Sequence, residues 1–202
     1  PFNFPEDHGP HPGFKTEWWY LTGNLSNESG QPFGYQLTIF RIALTPPDNS
    51  SVSAAISDWS TNQLYMGHLA VTGGAGRSFQ AFERFSRGGA GLAGAQSSPF
   101  RVWLEDWSIT GGRETLFPLE LRASGRSAGI DLTLRPIKGR ILQGDRGLDR
   151  KGPGRGNASY YYSYPRLASE GTITSDGMSY DVEGISWMDR EWSTSALGED
   201  QV

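Results

Sequence analysis

Short runs that alternate apolar and polar residues, cut repeatedly by glycine and proline, constrain this chain more than any other feature. The clearest runs are Thr16 to Leu25, Phe33 to Leu44, Gln63 to Thr72, Phe100 to Thr110, Glu114 to Ala123 and Gly129 to Arg135. A period of two suits a pleated strand with one side buried, and no segment sustains the 3.6-residue period of a helix. Turn signals separate the runs at Asn27-Glu28-Ser29-Gly30, Thr72-Gly73-Gly74-Ala75-Gly76, Thr110-Gly111-Gly112 and Ser175-Asp176-Gly177. With 27 glycines and 12 prolines in 202 residues, the pattern predicts an all-β, antiparallel, meander-like sheet. A sheet of so many strands closes or folds over to hide its edges.

Two segments interrupt the alternation. Ser86 to Gln96 contains Gly88, Gly89, Gly91 and Gly94, too much glycine for a stable helix and too little side chain for a good strand. It reads as a loop or as a place where the backbone approaches another element closely. Lys138 to Asn157 mixes glycine, proline and charge, and is long for a loop inside a compact domain. A mild basic cluster, Arg135, Lys138, Arg140, Arg146, Arg150, Lys151 and Arg155, overlaps this segment and reads as a solvated loop.

Composition narrows the function. The chain has no cysteine, which excludes disulfides and thiolate metal sites and leaves the compartment open. A net charge of -4 and a pI near 5.4 argue against nucleic acid as a partner, because phosphate binding needs a concentrated basic surface. No apolar run approaches the roughly 20 residues of a membrane-spanning helix. The chain opens on Pro1-Phe2-Asn3 and closes on Leu197-Gly198-Glu199-Asp200-Gln201-Val202 without a terminating pattern, so it reads as part of a longer protein.

Charge set among large aromatics marks the candidate chemistry. In Gly184 to Ser193, an extended chain places Trp187, Asp189 and Glu191 on one face and Met188, Arg190 and Trp192 on the other. Two carboxylates sharing a face raise one another's pKa, which yields an acid able to protonate a double bond or a leaving group. Alternatively Arg190, Arg166 or Lys15 holds them ionised in a structural network. Glu17 beside Trp18 and Trp19 poses the same question, and its structural reading is a barrel floor with a tryptophan under an arginine. Tyr160, Tyr162 and Tyr164 share one face of a strand, Tyr161 and Ser163 the other, as pocket wall or as cross-strand packing. His68 is a core or pocket histidine or a catalytic base. His8 and His11 lack an evident third ligand, so no metal is expected. Gly73-Gly74-Ala75-Gly76-Arg77 lacks the lysine and helix of a phosphate-binding loop and reads as a hairpin turn.

Several of these segments resemble one family. Asp7-His8-Gly9-Pro10-His11-Pro12-Gly13-Phe14-Lys15-Thr16-Glu17-Trp18-Trp19-Tyr20 is similar to the opening of the AttH-like proteins, a group that includes carotenoid 1,2-hydratase (hydroxyneurosporene synthase). Gly91 to Gln96, Asn157 to Ser163 and Trp187 to Trp192 are similar in the same order. The resemblance implies two lipocalin-like (calycin) halves, with this chain of residues 1–202 as the first barrel and the second domain of the same protein as a partner. It also implies export to the periplasm or beyond, with an inner-membrane transporter as a further partner. For the hydratases it implies addition of water to an isoprenoid double bond without a cofactor.

Two expectations result. In one, a barrel cavity lined by Trp18, Trp19, Tyr162, Arg166, Trp187 and Arg190 binds a lipophilic small molecule such as a lipid or isoprenoid. In the other, the protein is a cofactor-independent hydratase or hydrolase with Asp189 as general acid, Glu191 or His68 tuning it and Tyr161 orienting substrate. A third, blander reading is that both motifs only join the two halves.

Overall fold

The computed structural model describes residues 2–44, 61–73, 78–112, 114–152 and 156–194. Thirteen antiparallel strands follow a three-residue 3-10 turn at Glu6–His8: β1 (Thr16–Ser26), β2 (Pro32–Ala43), β3 (Gln63–Gly73), β4 (Ser78–Arg87), β5 (Ala93–Gln96), β6 (Arg101–Leu104), β7 (Trp107–Thr110), β8 (Leu119–Ser124), β9 (Gly129–Pro136), β10 (Ile141–Leu142), β11 (Leu148–Arg150), β12 (Ala158–Ser175) and β13 (Met178–Ser193). The ladder runs β4-β3-β2-β1-β13-β12-β9-β8-β7-β6-β5, with β10 and β11 paired to β12 beside its first half. The pairing of β1 with β13 carries the two aromatic motifs, 170 residues apart in the chain, into direct register, with Trp19 opposite Arg190.

The sheet curls into a nearly closed barrel. Of its two edge strands, β4 and β5, the first is tied to the rest of the barrel by side chains rather than by a ladder. Arg84 of β4 pairs with Asp106 and, at 3.3 Å, with Glu105 in the β6–β7 turn, donates to the Ser124 carbonyl at 3.2 Å, and lies 4.6 Å over the Trp107 ring. These bonds hold β4 against the barrel without a backbone ladder.

The interior is filled. Leu21, Leu37, Ile39, Leu69, Leu104, Trp107, Ile109, Leu119, Leu121 and Leu132 are buried within it, and each such side chain contributes on the order of 1.5–3 kcal/mol. The expected barrel cavity is therefore occupied by core packing, and the described recesses open elsewhere, on the outer surface of the sheet and around the arm of residues 2–14. That arm crosses one end of the barrel and packs Phe2, Phe4, His8, His11 and Phe14 against Tyr160, Tyr162 and Trp192.

Most runs read from alternation are strands, with three adjustments. Phe100 to Thr110 divides into β6 and β7 at Glu105, whose positive φ of 57° makes the turn. Only Leu119 onward of Glu114 to Ala123 is extended. The glycine-rich run ends in a strand, β5, where a side chain on Gly94 would meet the Trp103 ring at 2.4 Å, so the backbone does approach another element closely. The tip of the Gly73-Gly74-Ala75-Gly76-Arg77 turn, residues 74–77, lies outside the described residues, as do Arg155 and Leu197 to Val202; β3 and β4 on either side of that tip pair antiparallel.

Candidate functional site

Because β12 and β13 expose alternate residues to opposite sides, they build two different environments from one stretch of sequence. On the inner side, at the arm-covered end of the barrel, Glu17 is fully buried and paired to both Arg41 and Arg190. Arg190 lies 4.0 Å over the Trp19 ring and 5.0 Å from that of Trp192. It also donates to the carbonyls of Gly9 at 2.5 Å and Trp18 at 3.3 Å. Arg41 completes the group with bonds to the carbonyls of His11 at 2.9 Å and Phe14 at 2.7 Å. Burial alone raises the Glu17 carboxyl, but Arg190, His11 and Arg41 overcome it and hold the group at about 2. Nearby, His8 Nδ1 shares a hydrogen bond of 2.7 Å with the Tyr162 hydroxyl. Burial, then the charges of Arg140 and Arg190, pull its pKa down to about 3, so the ring is neutral. This is the barrel floor anticipated for Glu17, with Trp19 beneath an arginine.

The outer side is ordered differently. Residues directly opposite in antiparallel strands share a face, so the registers define rows across the sheet. One row reads Tyr161, Glu191, Trp18, Phe40, Met66, Phe85, and the next reads Ser163, Asp189, Tyr20, Thr38, His68, Glu83. An aromatic and apolar row thus runs beside a polar one. Rings touch along the first: Trp18 and Phe40 centroids are 6.1 Å apart, and Phe40 meets His68 of the second row at 5.6 Å. Beyond the polar row, Thr22, Gln36, Ala70, Thr72 and Phe79 line a shallow recess of about 280 Å³.

Asp189 accepts from the Ser163 hydroxyl at 2.5 Å, and Gln143 of the 138–157 segment donates to that hydroxyl at 2.8 Å. Among the described residues Asp189 forms no ion pair. Glu191, by contrast, is buried and paired to Lys151 at 3.0 Å, which also holds Asp149 at 2.7 Å. The Tyr161 phenol is pushed up to about 12, first by burial and then by the Asp189 charge, so it stays protonated.

The residues singled out in the sequence divide accordingly. Asp189, Glu191, Tyr161, Trp18, Trp187 and His68 lie on the outer side; Trp19, Tyr162 and Arg190 belong to the inner floor. They do not line one cavity. Arg166 is exposed at the register shift between Tyr164 and Leu167, in the bulge across from Trp187. His68 stands three strands from Asp189, roughly 14 Å at the spacing of a sheet, which is too far to tune it by contact. Arg41, Gln143, Lys151, Tyr20 and Phe40 were not identified in the sequence. Arg41 left a signal, a charge within Ile39-Phe40-Arg41-Ile42-Ala43; Gln143 left none, and Lys151, read with the basic cluster as solvated, is instead paired to Glu191.

Comparison with known proteins gives the same architecture a context. The chain is 33% identical to an AttH protein from Nitrosomonas europaea, with a TM-score of 0.82 over 98% of this chain and 57% of that one. Kievitone hydratase from Nectria haematococca has the same fold at 12% identity, with a TM-score of 0.68 over 97% of this chain and 53% of that one. The chain thus spans a little over half the length of each. No curated protein sequence matches it. A family model described as AttH-like matches residues 1–202, and the chain belongs to the AttH-like family.

Proposed function

We propose that the outer face binds an apolar, unsaturated molecule of isoprenoid type across the rows of β12, β13, β1, β2 and β3, and adds water to one of its double bonds. The observation that carries this reading is Asp189, a half-buried carboxylate without an ion-pair partner among the described residues, set between aromatic side chains. Protonated in the complex, Asp189 transfers its proton to one alkene carbon. The neighbouring carbon becomes a cation, water adds to it, and the extra proton returns to the carboxylate. The faces of Trp18 and Trp187 stabilise the cation by cation–π attraction. Tyr161, kept neutral, orients the substrate or the water. A solved relative that is named a hydratase supports the reaction class.

The test is incubation of the purified protein with an acyclic carotenoid in heavy-oxygen water. The labelled alcohol is the expected product, and Asp189→Asn lowers its formation by roughly 10²–10⁴-fold, the usual contribution of a general acid. Binding, followed by quenching of tryptophan fluorescence, survives that substitution. Quenching without product would reduce the protein to a carrier, and neither signal would end the reading.

A further inference from the structure

A second large recess lies away from Asp189. It is a groove of about 620 Å³ on the side of β12 that carries Tyr160 and Tyr162. Its walls are Phe2 and Phe4 of the N-terminal arm, Leu142 of β10, Leu148 of β11 and Tyr160, with Arg140 among the lining residues. The local backbone holds this shape. Gly147 adopts a φ of +95° between β10 and β11, and a side chain there would meet the Phe2 ring at 2.0 Å. Gly147 N donates to the Gln143 carbonyl at 2.8 Å, and Tyr161 N donates to the Gly147 carbonyl at 2.9 Å.

Two features of the groove point to a ligand. Leu142 and Leu148 are 39% and 37% exposed, an aliphatic surface in water beside aromatic rings. Arg140 lies 3.4 Å over the Phe4 ring, and its Nη1 reaches the Tyr164 hydroxyl at 3.4 Å. Among the described residues no carboxylate pairs with it, whereas Arg146 pairs with Asp145 at 3.5 Å and Lys151 with Asp149 at 2.7 Å. Asp145 and Arg146 also line the groove, as an exposed pair. A groove of this volume suits a small ligand, and a planar guanidinium beside apolar walls suits a carboxylate on an aliphatic chain.

We propose that this groove is a second binding site, separate from the outer face, for a free long-chain carboxylate whose chain lies on Phe2, Phe4, Leu142, Leu148 and Tyr160 and whose head pairs with Arg140. The site does not depend on the hydration reading, because it lies on the opposite side of the sheet from Asp189.

Isothermal titration of the protein with laurate, dodecanol and dodecylammonium, each below its micelle concentration, tests it. Laurate binds at one site, and dodecanol and dodecylammonium bind at least about tenfold more weakly, since they lack the charge-assisted pair. Arg140→Gln brings laurate to the dodecanol level, Leu148→Asp abolishes binding of both, and Asp189→Asn changes neither. Arg140 is exposed, so Arg140→Gln retains the thermal unfolding midpoint. Equal binding of laurate and dodecanol would overturn the proposal, as would laurate binding that survives Arg140→Gln. Loss of binding in Asp189→Asn would overturn it too, by moving the ligand to the outer face.

Discussion

Asp189, Arg190 and Glu191 are consecutive, yet they occupy two unlike settings. Arg190 is fully buried on the inner side, with a carboxylate, four backbone carbonyls at 2.5–3.4 Å and two indole rings around it. Asp189, facing outward, accepts from the hydroxyls of Ser163 and Tyr161 and remains partly open. A charge whose hydrogen bonds are all met holds structure, because moving it would strand buried partners. A charge with few partners beside apolar surface is the one available for binding or proton transfer. The difference separates the role of the inner face, closing the barrel end, from that of the outer face, meeting a ligand.

The largest test of this contrast is Glu17→Gln against Asp189→Asn. The first leaves Arg41 and Arg190 buried without their shared counter-charge and costs about 3–5 kcal/mol, while the second changes stability by less than about 1 kcal/mol. Urea unfolding of both variants measures it, and equal losses would break the comparison. Next, Trp192→Ala removes a buried ring stacked 3.7 Å on His11 and costs about 3–5 kcal/mol. Trp18→Ala, on the half-buried outer side, costs well under half of that and instead weakens polyene quenching. Lys151→Met leaves the Glu191 carboxylate, 6% exposed, without its cation and costs about 1–3 kcal/mol, read by the same urea unfolding.

The pH dependence is smaller and has a definite sign. His8 has a folded pKa of about 3 against an ordinary 6.5, so below 6.5 the unfolded chain takes up a proton that the folded protein refuses. Stability from this group is intact above pH 6.5 and falls as pH drops toward 3, by up to about 1.4 kcal/mol per unit. Glu17, lowered to about 2 from 4.5, adds its own loss only as pH falls through 4.5 toward 2. Between pH 6.5 and 5 the unfolding free energy of His8→Gln is therefore flatter than that of the parent protein. Parallel slopes in that window would remove the buried neutral imidazole from the account.

The legible parts of the fold were those with long periodicity. β1, β2, β3 and β9 follow the alternation of Thr16 to Leu25, Phe33 to Leu44, Gln63 to Thr72 and Gly129 to Arg135 almost residue for residue. β10 and β11, at two and three residues, are too short for any period to show, and they supply Leu142 and Leu148 to the groove and bracket Gln143. β4 was missed because Ser78, Gln80, Phe82, Arg84 and Ser86 on its inner side are mostly polar. They hold β4 against the barrel by side-chain bonds instead of filling the apolar core.

The sequence by itself determined which side chains travel together. Period two placed Trp187, Asp189 and Glu191 opposite Met188, Arg190 and Trp192, and Tyr161 and Ser163 opposite Tyr160, Tyr162 and Tyr164, whatever the packing. The leucines of β1 and β2 turn one side inward, and that side of β13 carries the single charge Arg190 against two on the other. Only the tertiary structure decided that a charge could be buried there, because its partners come from distant parts of the chain. Once β1 pairs with β2 and β13, Glu17 meets Arg41 and Arg190 under the N-terminal arm, and a buried carboxylate is stable only where such partners converge.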